Sequence, residues 1–140
     1  MRILLFLLAV LAAGPALSWE TPQRGTTLRA TLMDAVRPHA EWVLGAPVVF
    51  RVDDLRVSGD LAFANLHALR PNGAPIDPAS IPRRPGVDNP FDWDGPQIQA
   101  LLVHSGAGWS VMHHEIGATD VWWADPALCP QWRFVLTDTC

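Results

Sequence analysis

The chain contains no lysine and no tyrosine, only two cysteines, and neither a Gly-x-Ser-x-Gly elbow, a glycine-rich phosphate loop nor a dinucleotide fingerprint. Those missing motifs remove the usual signatures of nucleophilic hydrolases and nucleotide enzymes. All ten basic residues are arginine, set against fourteen acids for a formal net charge of −4. Such a balance lacks the basic footprint of a nucleic-acid or anionic-lipid binder. The cysteines lack C-x-x-C spacing, which argues against a redox-active pair, and no two histidines have the H-x-x-x-H spacing of a helical metal site.

The apolar run from Ile3 to Ala13 is followed by Gly14-Pro15 and by small residues at Ala16 and Ser18. This is the pattern of a secretory signal peptide over residues 1–18, cut after Ser18. The run is shorter than the roughly 20 residues of a spanning helix, and no cysteine follows it for lipid attachment. The expected mature chain, 19–140, is a soluble periplasmic or secreted domain without a membrane anchor. Without Arg2, nine arginines face fourteen acids, a net of −5. In an oxidising compartment Cys129 and Cys140 are expected to form a disulfide that closes the tail at 129–140.

Between Thr26 and Leu44, residues Leu28, Leu32, Ala35 and Val36 mark the stripe of an amphipathic helix, with Pro38 expected to kink or restart it and Gly45 to end it. The segments "APVVFRVDDLRV" and "LAFANLHALR", joined by "SGD", predict an antiparallel hairpin. Residues 71–96 hold seven prolines, a density at which no regular element is expected. A loop that long in a small domain is a lid, a binding loop or a mobile segment. The segments "QIQALLVH" and "WSVMHHEIG" predict a second hairpin, and "QWRFVLTD" reads as a last β-like run. The fold class is therefore α+β, an N-terminal helix packed on an antiparallel sheet of about four to five strands.

The phrases "VVFRVDDLRVSGDLAFANLHALRPNGAPID" and "ALLVHSGAGWSVMHHEIGATDVWW" resemble a group of small exported bacterial proteins of unassigned activity within the NTF2-like and cystatin-like superfamilies. The resemblance runs from about Leu28 to Trp123. Its most specific parts are "LRVSGDLAF", Trp109-Ser110-Val111 and Gly117 to Val121. It implies a long helix lying across a strongly curved sheet and carries over no catalytic residues.

Strand alternation separates His113 from His114, which point to opposite faces while the strand stays regular. A four-residue "SGAG" turn would set His104 opposite Trp109 and Ala100 opposite His113. His104, His113 and Glu115 would then share a face, an arrangement that a one-residue slip scatters. For acid–base catalysis the candidates are His113 or His114, oriented by Asp120 or Asp34. The competing reading makes Gly117 a strand end at positive φ, with Thr119 and Asp120 bonding backbone amides of the turn.

Trp42 and Trp109 are expected in the core. Trp93, Trp122 and Trp123 are the candidate binding residues, an exposed aromatic patch for a protein or small-molecule partner. Asp88, Asp92 and Asp94 before Gly95 resemble part of a calcium loop but lack the glutamate such a site uses. No metal and no cofactor are expected. The preferred function is a non-catalytic binding or accessory protein, with homodimerisation through the open sheet face as a further expectation. The alternative is a small enzyme with a histidine–carboxylate pair in the sheet's pocket.

Overall fold

The computed structural model describes residues 18–140, so the expected signal peptide lies outside the described residues except for Ser18. Helix α1, Thr27–Leu44, precedes four strands, β1 Val49–Ser58, β2 Leu61–Leu69, β3 Gln97–Ser105 and β4 Gly108–Ile116. They form one antiparallel meander in the order β1-β2-β3-β4. The architecture is α+β with an open four-stranded sheet. No helix among the described residues is long and apolar enough to cross a membrane.

Helix α1 begins at Thr26, whose hydroxyl accepts the Arg29 amide at 3.3 Å, and stops at Gly45 with φ +78°. The Arg70 guanidinium donates to the Leu44 carbonyl at 3.0 Å, satisfying a carbonyl that the helix end leaves free. Contrary to expectation, α1 continues through the exposed Pro38 without a break. Ala40, Val43 and Leu44 beyond the proline are as buried as Leu32 and Val36 before it, so packing on both sides holds the axis across the missing backbone donor.

The sheet meets the helix through small side chains. Ala62, Ala64, Ala68 and Ala100 are all fully buried under α1, interleaved with Leu66, Ile98 and Leu102. The alanines and the larger residues fill one core layer between sheet and helix, and α1 makes its closest backbone approach at β4.

Phe63 and Leu101 lie in a second cluster with Trp132, Val135 and Leu136 of the C-terminal segment. The expected final strand is absent. Residues 122–124 and 126–128 are 3₁₀ turns, and Cys129–Trp132 is a single helical turn, α2. The spacing of Trp132, Val135 and Leu136, i, i+3 and i+4, is helical rather than alternating. The tail thus roofs part of the sheet face expected to stand open.

Two attachments hold this roof. Cys129 and Cys140 are disulfide-bonded across a Cα–Cα distance of 5.5 Å. Arg56 of β1 pairs with Asp138, donates to the Val135 carbonyl at 3.2 Å and lies over the rings of Trp19 and Phe63. Hydrogen bonding to that guanidinium holds the Asp138 carboxyl below its ordinary value. The Cys129→Ser/Cys140→Ser variant should lose about 3 kcal/mol in chemical denaturation, with hydrogen exchange rising first at Trp132 to Leu136. Unchanged protection there would show that the bridge does not hold the roof.

Candidate functional site

The register of β4 decides which residues form a site. Leu101 lies opposite His113 but Leu102 lies opposite Val111, so Met112 is the extra residue of a β-bulge. The expected pairing of His104 with Trp109 holds; that of Ala100 with His113 does not, because Ala100 faces His114. Before the bulge Val111 packs toward α1; after it His114 and Ile116 take that side. His113 turns to the opposite face, where its ring lies 6.3 Å from that of Trp132. The constellation of His104, His113 and Glu115 is therefore split across the sheet.

The bulge brings His114 against His39 of α1, with ring centroids 4.6 Å apart. Burial, and then the charge of His39, hold the His114 imidazole below its ordinary value of 6.5. Neither candidate aspartate joins this pair. Asp34 is exposed and accepts from Arg37 at 3.3 Å, while Asp120 is exposed just beyond the end of β4 and lines the larger cleft. Among the described residues, the one histidine–carboxylate approach within ion-pair distance is His104–Asp60 at 3.7 Å.

The loop at 71–96 joins the core through Ile76 and Ile81, and at this end of the sheet it closes where Trp93 meets Gly117. Gly117 is buried at φ +71°, and a β-carbon there would overlap Cγ and Cδ2 of the Trp93 indole. Glycine is required twice, by the left-handed backbone and by the ring lying on it. The Gly117 amide donates to the Gln97 carbonyl at 2.8 Å, completing the strand end that the sequence predicts. Thr119 and Asp120 contribute their side chains to the surface there, and the neighbouring turn is held by the backbone bond from Ala124 to Val121, at 2.9 Å.

Around Trp93 two adjoining clefts open, of about 210 and 560 Å³, sharing Asp88, Trp93, Glu115 and Ile116. Trp42, Val43 and His114 complete the smaller one. Asp92, Gly117 to Asp120 and Trp122 complete the larger. Among the described residues no arginine lines either cleft directly, although Arg84 lies over the Trp42 ring. Asp88, Asp92, Glu115 and Asp120 have no ion-pair partner among the described residues. The buried Trp122 indole N–H also lacks an acceptor there. The described residues contain no group of three His, Cys, Asp or Glu arranged to hold a metal.

The tryptophans are distributed differently from expectation. Trp93 and Trp122 are half-buried walls of the clefts, and Trp122 and the equally half-buried Trp123, whose ring lies 5.8 Å from that of Phe63, both pack against the second core cluster. Trp42, expected in the core, is 52% exposed and carries the Arg84 guanidinium 5.1 Å from its ring centre. It falls beside the buried stripe of α1, one residue before Val43 and Leu44. His39 and Trp42 are the site residues that sequence reasoning missed as functional candidates, since only the β4 register places them beside His114. No family model, no curated protein and no solved structure matches the chain.

Gly117→Ala should cost about 1–3 kcal/mol in chemical denaturation, and less in a Trp93→Gly background, where only the backbone penalty remains. Equal costs in the two backgrounds would show that the indole does not confine this glycine. In an NMR titration His114 should protonate below 6.5, rising toward that value in His39→Ala. Because the unfolded chain binds this proton first, His114 lowers stability as pH falls through 6.5. Protonation of His114 at or above 6.5 would contradict its buried setting.

Proposed function

We propose that the protein is an exported, non-catalytic binding protein of the bacterial periplasm, with NTF2-like or cystatin-like architecture and a small-molecule site in the clefts around Trp93. The observation that carries this reading is the closure of the 71–96 loop onto Gly117, which turns a sheet edge into a concave, indole-walled surface. Concave sites with aromatic walls and a few polar groups are the usual form of small-ligand sites. The helix laid over an antiparallel meander supports the superfamily assignment, and the disulfide suits an oxidising compartment.

The second reading is a small enzyme in which His114 acts as a base. It is favoured by the half-buried imidazole lining the smaller cleft, held neutral near pH 7 by its lowered pKa. Among the described residues no carboxylate lies within ion-pair distance of that ring, which places binding ahead of catalysis.

Native mass spectrometry of the protein taken from its own exported fraction tests both readings. The expected species begins at Trp19, is oxidised at Cys129 and Cys140, and carries an organic adduct that Trp93→Ala loses. A bare chain at undiluted periplasmic concentration would contradict a resident ligand. Conversion of the released compound by added protein, slowed about a hundredfold or more in His114→Ala, would favour the enzyme instead.

A further inference from the structure

We propose that His39 and His114 form a two-imidazole site for a divalent transition-metal ion of the copper(II) or nickel(II) type, at the seam between α1 and β4. Such a site goes beyond the ligand reading above and does not depend on it.

The fold brings two free imidazoles together. His39 follows the buried Val36 and precedes the buried Ala40 and Val43 on α1, and the β4 bulge turns His114 to meet it. Their ring centroids lie 4.6 Å apart, with the planes inclined at 53°. Neither ring has a hydrogen-bond or ion-pair partner among the described residues, and neither contributes a nitrogen to the buried, unpartnered atoms. The ring nitrogens are thus open at the seam, and no protein acceptor commits either ring to one tautomer. As a proton-binding pair the two oppose each other, since charge on His39 disfavours charge on His114. A metal ion is the charge that both lone pairs can share.

The spacing selects the type of ion. A nitrogen bonded to a metal at about 2.0–2.1 Å puts its ring centre roughly 3.2 Å from that metal. Two rings on one ion then have centres about 4.5 Å apart at a right angle and about 5.2 Å apart at the tetrahedral angle. The observed 4.6 Å lies at the right-angle end. Right-angled imidazole positions belong to tetragonal copper(II) and nickel(II), and nitrogen ligands bind copper(II) most tightly among the first-row divalent ions. Zinc, tetrahedral in most protein sites, fits less well.

Competing donors and protons leave this choice intact. Both cysteines are in the disulfide, so no thiolate is present to draw a softer ion. Metal binding requires neutral imidazole, and burial holds His114 below its ordinary 6.5, so near pH 7 no proton has to leave that ring. No third His, Cys, Asp or Glu among the described residues completes a ligand set. The remaining coordination positions fall to water or to a donor from solution, beside the smaller cleft that His114 lines.

The test is calorimetric titration of the oxidised, chelator-treated protein with copper(II), nickel(II), zinc(II) and calcium, beside thermal unfolding with and without each ion. One copper(II) per chain is expected, bound more tightly than the other ions. It should raise the unfolding temperature, because the unfolded chain does not hold the two histidines together. His39→Ala and His114→Ala should each weaken copper(II) roughly tenfold or more, at least the usual cost of losing an outer partner of a metal ligand. His113→Ala, the neighbour on the opposite face, should leave binding unchanged. Electron paramagnetic resonance of the copper(II) protein should show two coordinated imidazole nitrogens, a signature read without any variant. A single nitrogen there, or equal binding by both single variants and the parent, would overturn the site and move the ion to another group such as the amino terminus. Calcium bound as tightly as copper(II) would overturn the imidazole assignment in favour of carboxylates. Copper(II) binding no tighter than in the His39→Ala/His114→Ala double variant would overturn the site outright and leave the organic-ligand reading standing.

Discussion

The arrangement of this protein's candidate site depends on the single extra residue that Met112 contributes to β4. A strand has a side-chain period of two, so one unpaired residue exchanges the faces of everything beyond it. Trp109 and Val111 pack toward the helix under one phase, His114 and Ile116 under the other. Without the shift, His113 and Glu115 would face α1, and His114 would lie under the C-terminal roof. The bulge thereby determines which histidine meets His39 and which meets Trp132. It changes the identity of the site without altering the topology of the sheet.

The rest of the molecule converts that strand end into a concave surface. Helix α1 approaches the sheet most closely at β4, which places Trp42 and His39 beside the last residues of that strand. The loop at 71–96 is tied down where Trp93 lies on Gly117, a contact available only because that position has neither a β-carbon nor right-handed backbone. On the far face, Arg56 and the disulfide hold Trp132, Val135 and Leu136 over Phe63 and Leu101. One face of the four-stranded sheet is thus covered by a helix and part of the other by a tail with little regular structure. The acidic clefts lie at the seam between α1, the loop and the strand edge.

Much of the architecture was legible because it follows local periodicity. The stripe on α1, the β-forming runs on either side of "SGD" and "SGAG", and the breaker-rich stretch between the hairpins each state their conformation in their own residues. The tail misled because "QWRFVLTD" is composed of β-formers, while its buried positions, Trp132, Val135 and Leu136, are spaced as in a helix. Trp42 misled because its neighbours are apolar, although burial along α1 follows angle around the axis rather than adjacency. Pro38 was expected to kink or restart the helix, and α1 runs on through it with buried residues on both sides. Trp93 and Trp122 were recognisable as candidates from the number of tryptophans; His39, which meets His114, was not.

By itself the sequence determined the α+β class, the two hairpins and their turns, the cysteine pairing and the need for glycine at Gly117. These depend on composition, period and backbone preference, which act over a few residues. Only the tertiary structure decided that His114 rather than His113 meets α1, that Asp34 pairs with Arg37, and that Trp42, Trp93, Asp88 and Glu115 line one opening. Those outcomes turn on where a single unpaired residue falls in β4 and on contacts between positions as far apart as 39 and 114. Non-local packing sets such contacts, and no short stretch of the chain encodes them.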